Sequence, residues 1–375
     1  MPGWHAFTKE WREKGDLALV GIVQEQHPDR ARLFAQWQGL DFPILWDPFN
    51  LTGSKVVPIT LAVDEHGIVR AVNPEREKFE DEFLRVVFPP TAHSAAARVE
   101  IPGAIADLMA HDPAQLDAAV AALESAASRT PIDSIALFRA GVARRLRYDA
   151  DGGNAADFQG SLDHWRGAWS LDPEQYIWRR RTQQYGPRMD KPYPFYDWVA
   201  EAQAQITARG ETPVALGAQL TPSELAEKGR FVPGGDEEEP DALKKVPLDT
   251  EGWLAIESAT AFDTSGQTPV ASLHLVLRPN AKLDVHFDDE AGPVVVWLGS
   301  VDQPDGFEFE ARHHQLRPAK TGRAAEERRL AVDTRLRAGS RGGKLRGYVL
   351  FYGCQGVEGT CRYLRHDFEV ELRVP

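Results

Sequence analysis

Cysteine is nearly absent from this chain: its 375 residues hold two, Cys354 and Cys361. Two cysteines cannot build a disulfide framework, and six residues between them is not a usual zinc spacing. Long apolar runs are also missing. No stretch approaches the roughly 18 to 20 apolar residues that span a bilayer, so no membrane segment is expected. Positive charge is in deficit, with a formal net charge of -13. A general nucleic-acid binder wants a basic face, so nucleic acid is not an expected partner. The opening Met1-Pro-Gly-Trp-His5 has neither a basic stretch nor an apolar core and does not read as a signal peptide. No phosphate-binding glycine loop and no serine-nucleophile motif is legible, and no cofactor is expected.

What is present is ordinary for a folded chain. Hydrophobic residues make up 42% and charged residues 26%. That balance excludes wholesale disorder, and the length predicts two or three domains. Residues 1–90 alternate helical and strand patterns. Trp4, Phe7 and Trp11 recur at helical spacing up to Gly15. Strands are expected near 17–23, 42–46, 59–63 and 68–72, the last two joined by the turn signal Asp64-Glu-His-Gly67. Pro28 is placed to open a helix, and 75–88 reads as a last amphipathic helix. Residues 91–103 read as a linker.

Within this first segment, Phe42-Pro-Ile-Leu-Trp-Asp-Pro48, Gly53, Val57-Pro58-Ile-Thr60 and Ala62-Val-Asp-Glu-His-Gly-Ile-Val69 resemble the second half of a thioredoxin-fold domain, of the TlpA and peroxiredoxin type. The resemblance covers roughly 1–90. It implies an α/β unit in which Pro58 is cis and the Val57-Pro58 loop lies against the substrate. In that family a central strand and a Cys-x-x-Cys at a helix N-terminus come before the matching segment, where the helix dipole favours the thiolate. This chain opens inside that helix and has no cysteine before Cys354. The resemblance therefore implies a unit truncated at its N-terminus, without its dithiol and inactive as a reductase. A start placed within a longer unit is the preferred reading; a degenerate domain kept for its shape is the alternative. Kin of this family usually act outside the cytoplasm; the compartment is open, with the chain as given reading as cytoplasmic and a truncated start as extracytoplasmic.

Residues 104–210 are helical in pattern and rich in Ala, Leu and aromatics; 114–128 has high helix propensity. Phe158, Ser161, Trp165, Ala168 and Pro173 have the spacing of the second helix of a tetratricopeptide repeat, with Gly141 as the small residue of the first. Only one repeat is legible, and plain helix packing competes with it. The segment after it is dense in aromatics and arginines. Tyr176, Trp178, Arg179, Arg180 and Tyr185 are candidate partner-binding residues; a core seam is the other reading. Residues 211–248, with the acidic run 234–240, read as a linker.

From 249 to 375 the pattern turns to short strands near 273–277, 283–287, 294–298, 345–352 and 368–374, a β-sandwich in expectation. His286 and Asp288 share one strand face and His313-His314 are adjacent, but neither has metal spacing, and no metal is expected. Residues 312–346 hold 11 basic residues against three acids, which reads as a solvated or interdomain face. Tyr348 to Cys354 and Cys361 onward read as a hairpin with the cysteines facing each other at its end, Cα atoms about 4.4 to 6.8 Å apart. This arrangement resembles the immunoglobulin-like amino-terminal domain of the DsbD periplasmic reductases. The resemblance implies thiol-disulfide exchange at Cys354 and Cys361; a stapling disulfide is the alternative. The expected whole is multidomain, with a thioredoxin-like α/β unit, an all-α repeat-like middle and an all-β sandwich. Its expected function is thiol-disulfide redox work on a thiol or disulfide substrate. A non-catalytic scaffold that binds a protein partner is the competing expectation.

Overall fold

The computed structural model describes residues 2–90, 102–110, 114–150, 153–187, 194–227, 231–234, 237–263, 269–299, 306–316, 327–337, 342–356 and 359–373. Most of the 91–103 linker, Asp190 to Tyr193 of the aromatic segment, part of the acidic run and much of the basic 312–346 stretch lie outside the described residues. The opening helical stretch forms α1 (Pro2–Phe7) and α2 (Lys9–Lys14), ended by Gly15 at φ +80°. Glycine enters that left-handed region without a Cβ clash. The next elements are β1 (Gly21–Val23), α3 (Pro28–Gln38) and β2 (Ile44–Trp46). β1 and β2 pair in parallel, with α3 as the connection between them. β3 (Leu61–Val63) and β4 (Val69–Val72) form an antiparallel hairpin. Asp64 Oδ1 fixes its turn by accepting from the His66 and Ile68 amides, both at 2.9 Å. The unit closes with α4 (Arg76–Phe79) and a π-helical turn, Glu80–Leu84. Each expected strand is present but shorter than its apolar run. Among the described residues β1–β2 and β3–β4 are two separate two-stranded sheets.

The middle of the chain is helical: α5 (Gly103–Met109), α6 (Leu116–Ala127), α7 (Ser134–Asp149), α8 (Ala156–Leu171), α9 (Tyr176–Gln183) and α10 (Trp198–Ala208). Asp133 caps α7 by accepting from the Ile135 and Ala136 amides, two of the donors a helix start leaves without partners. α7 and α8 pack tightly because Gly141 lets Trp165 approach: a Cβ on Gly141 would stand 2.6 Å from the indole. Phe158, Ser161, Trp165 and Ala168 are all buried. The stretch read as a linker, 211–248, contains α11 (Pro222–Leu225), whose Glu224 is 0% exposed.

The rest of the chain is strand. β5 (Leu254–Asp263), β6 (Val270–Pro279), β11 (Arg328–Leu336) and β9 (Phe307–Phe309) make one antiparallel sheet in the order β5-β6-β11-β9. The other runs β10-β8-β12-β13, from β10 (His313–Leu316), β8 (Val294–Leu298), β12 (Gly342–Gln355) and β13 (Cys361–Arg373), with β7 (Val285–Phe287) also on β12. Leu273, Leu275 and Leu277 of β6 meet Val294, Val296, Val349 and Phe351 of the facing sheet in one apolar cluster. The other side of the first sheet is covered too. Ala259 and Ala261 of β5 join the helical core, and His274 of β6 bonds the Tyr185 carbonyl at 2.6 Å. This sheet is therefore a middle layer, which is why β6 is buried on both faces. β5, β9, β10 and β11 were not expected from the sequence; β9 and β10 are too short for periodicity to mark them.

The N-terminal unit is held to the helices by apolar and charged contacts. Phe49 enters the helical core, and Leu33 packs with Tyr196, Val199 and Ile206. Arg30 and Glu224, both buried, form an ion pair at 2.6 Å. Arg181 donates to the Gln26 side chain at 3.0 Å and to the Gln24 carbonyl at 3.1 Å. Burial by itself would raise the Glu224 carboxyl, but the Arg30 guanidinium overrides it and holds Glu224 at about 2.

Candidate functional site

The long hairpin β12–β13 pairs from Gly342 with Arg373 through to Cys354 with Cys361. Gln355 N–H donates to the Thr360 carbonyl just beyond that last pair, at 3.4 Å. Cys354 and Cys361 are thus a non-hydrogen-bonded pair, the kind whose Cα atoms approach most closely. They are joined as a disulfide with Cα atoms 4.0 Å apart. The expected range of 4.4 to 6.8 Å is therefore corrected to a shorter separation, set by this pairing.

The two sulfurs differ in access. Cys354 is 5% exposed, because β7 flanks it on the far side from β13, with His286 as its register partner. Cys361 lies on the exposed end of the hairpin. Asp288, just past β7, donates its amide to the Tyr352 carbonyl at 3.0 Å, which extends the ladder by one step. Its Oδ1 accepts from the Glu290 and Ala291 amides at 3.1 and 3.2 Å. Its Oδ2 is left facing Cys354 Sγ at 3.8 Å. Asp288, Cys354 and Cys361 bring one ligand atom each within 4.8 Å of one another. Two residues back along the hairpin, the Tyr352 and Tyr363 rings meet with centroids 4.4 Å apart and planes tilted by 30°, on the same sheet face. Burial raises the Tyr363 hydroxyl above its usual range, so it stays neutral beside the pair.

On the opposite face, Gly353 backs onto Trp253; a Cβ there would stand 3.1 Å from the indole and from Phe351. Arg362 lies over the Trp253 ring at 5.0 Å and donates to Glu251 at 2.8 Å. Arg362 is thereby directed to Glu251 and the indole, not to the sulfurs.

The other sequence candidates stand elsewhere. Val57 and Pro58 are exposed in the loop before β3, and their peptide bond is cis, as the resemblance implies. They belong to the β3–β4 unit and the cysteines to the C-terminal sheets. Of the candidate partner residues, Trp178 and Tyr185 are 2% and 0% exposed. Their assignment to a partner surface is corrected: Trp178 stacks on Phe138 and Tyr185 on Trp165 inside the helical core. Tyr176, Arg179 and Arg180 remain nearer the surface, Arg179 over Trp169 and Arg180 over Phe195.

In the sequence Asp288 is marked only by standing two residues from His286. Nothing in one dimension places it on a sulfur 66 residues away; the β7–β12 register does. No helix among the described residues is long and apolar enough to cross a membrane. Compared with protein-family models and with curated proteins, the chain matches none.

Proposed function

We propose that the protein is a thiol-disulfide redox protein whose reactive pair is Cys354–Cys361. The observation that carries this reading is the asymmetry of the pair: Cys361 stands exposed at the hairpin end while Cys354 is buried against Asp288. An incoming thiolate attacks the accessible Sγ of Cys361. The new S–S bond forms there, the old one breaks, and the electron pair leaves on Cys354 Sγ. That sulfur takes a proton and becomes a thiol able to donate to Asp288 Oδ2. A second thiol on the reductant then displaces Cys361, so two electrons and two protons pass to the pair. The reading includes the fold resemblances. The parallel β1–β2 pair around α3 and the β3–β4 hairpin support the thioredoxin-like unit. Gly141 against Trp165 supports the repeat-like hairpin, and the two facing antiparallel sheets support the immunoglobulin-like domain.

The test is equilibration of the full chain in dithiothreitol buffers, with the pair read by alkylation and mass. A potential above about -300 mV, where exchanging disulfides lie, is expected. In Cys354→Ala, Cys361 should form a mixed disulfide with oxidised glutathione. A pair that stays oxidised well below that potential would reduce it to a staple.

A second reading, a protein-binding scaffold, is favoured by one specific observation. Leu61 faces Val72 and Val63 faces Val69 across β3–β4, and all four side chains are exposed. Aliphatic pairs on one open face mark interaction surfaces more often than scattered apolar residues do.

A further inference from the structure

We propose that the reduced Cys354–Cys361 pair, with Asp288, forms a binding site for one divalent cation of the zinc class, open only when the disulfide is broken. The inference rests on the redox reading only in requiring that the pair be reducible. Zinc takes thiolate at about 2.3 Å and carboxylate oxygen at about 2.0 to 2.2 Å in a tetrahedron. Those bond lengths set ligand-to-ligand edges of roughly 3.5 to 3.8 Å. Asp288 Oδ2 already stands 3.8 Å from Cys354 Sγ, and the three ligand atoms lie within 4.8 Å of one another. Only the sulfurs are too close, held by their bond; reduction frees them to separate across the strand pair.

Three protein ligands with water in the fourth position is the open arrangement that zinc accepts. Asp288 alone carries no metal spacing in the sequence; the fold adds the two sulfurs. Asp288 is also oriented as a ligand should be: its second oxygen is tied to the Glu290 and Ala291 amides, the outer-shell support that metal carboxylates use. β7, β12 and β13 are adjacent strands of one sheet, so the ligands sit on a rigid frame. Exposed Cys361 leaves an entry path.

The balance is simple. A phosphine or dithiol reductant gives two electrons to the disulfide, and each sulfur takes one proton. The cation then displaces both protons to bind two thiolates. Reoxidation to the disulfide removes the thiolates and releases the ion.

The experiment uses the full chain, reduced with tris(2-carboxyethyl)phosphine, with two thiols confirmed by alkylation. Zinc is titrated against a chromophoric chelator, and cobalt is followed by its thiolate charge-transfer absorption. One ion per reduced chain is expected, and none per oxidised chain. Asp288→Ala should weaken binding at least tenfold, and Cys361→Ser should cut the charge-transfer band at least twofold while leaving the far-ultraviolet spectrum unchanged. A pair that reduces and exchanges thiols yet takes up no metal overturns this inference alone. A pair that cannot be reduced in the folded chain overturns it together with the redox reading. Binding that persists in the double variant Cys354→Ser, Cys361→Ser places the ion elsewhere and also overturns it.

Discussion

Arg30 and Glu224, 194 residues apart in sequence, meet as a buried ion pair at 2.6 Å between the N-terminal unit and the segment after the helices. Glu224 does three things at once. Its Oε1 accepts from Arg30 and from Gln184, and its Oε2 accepts from the Thr221 amide at 2.7 Å, closing a capping box. Removing one partner of a buried pair leaves an uncompensated charge, at a cost of about 3 to 5 kcal/mol. Glu224→Gln should lower stability by that amount in urea unfolding, while the double variant Arg30→Met, Glu224→Leu should cost less than either single change. The folded Glu224 carboxyl titrates at about 2, below its ordinary 4.5. Its contribution is therefore present above pH 4.5 and is lost as pH falls towards 2. A contribution from Glu224 that is unchanged across that window would contradict the pairing.

His27 predicts a second pH effect, at milder acidity. Its Nδ1 stands 3.5 Å from Asp149, yet burial, and then Arg30, Arg145, Arg181 and Arg329, hold the imidazole well below its usual 6.5. The ring is therefore neutral and the contact is not an ion pair. The unfolded chain takes up a proton near 6.5 that the folded chain refuses, so stability falls as pH drops below 6.5. His27→Gln should flatten that part of the pH profile, measured as the urea midpoint from pH 7.5 to 5.5. An unchanged slope would mean that the ring is protonated in the fold.

Gly141 is the tightest point of the helical layer. A methyl group there would stand 2.6 Å from two atoms of the Trp165 ring and 3.1 Å from the Ser161 carbonyl. Gly141→Ala should therefore cost about 1 to 3 kcal/mol, the usual range for overpacking, despite alanine's better helix propensity. The paired change Gly141→Ala, Trp165→Phe should recover part of the loss. A neutral Gly141→Ala by thermal unfolding would show that α7 and α8 pack farther apart.

The disulfide closes a short loop, with a sequence separation of 7. Loop-closure entropy at that length gives about 2.5 kcal/mol. Cys354→Ser, Cys361→Ser should lose roughly that much and still fold, since the hairpin keeps its ladder from Gly342 onward. Any thiol-dependent insulin reduction by the parent should fall to background in the same variant, because no other cysteine exists in the chain. Turnover that survives the double change would contradict the assignment of the reactive pair.

Periodicity was enough where a segment meets one environment. The alternation Val370 and Leu372 inward, Glu369 and Glu371 outward is in the structure as in the sequence. The Pro28 helix start and the Asp64–Gly67 turn were equally legible, because each depends on a few adjacent residues. Burial on both faces was not legible in β11, nor was the partial covering of β5, whose Ala255 and Ser258 stay exposed; both sequences mix polar with apolar residues. Such polar groups are met by partners far along the chain, as Asp333 of β11 is by Ser272 of β6. The site divides in the same way. The facing cysteines follow from two strands and a short turn, while Asp288 and the coverage of Cys354 depend on β7, a three-residue strand. Trp178 and Tyr185 show the converse: aromatics beside arginines read equally well as surface or as core, and packing against Phe138 and Trp165 decides it.

The helical layer borrows from both of its neighbours. Phe49 of the first unit and Ala259 and Ala261 of the sandwich belong to the same cluster as Phe138 and Trp165. Three modules that composition separates so clearly are therefore not interchangeable parts. Cutting the chain at either apparent boundary removes residues from a shared interior and uncovers the helical core, so the pieces should be less stable than the whole, which should melt in one calorimetric step. Any recombination that swapped one module would have to carry its neighbour's facing residues with it.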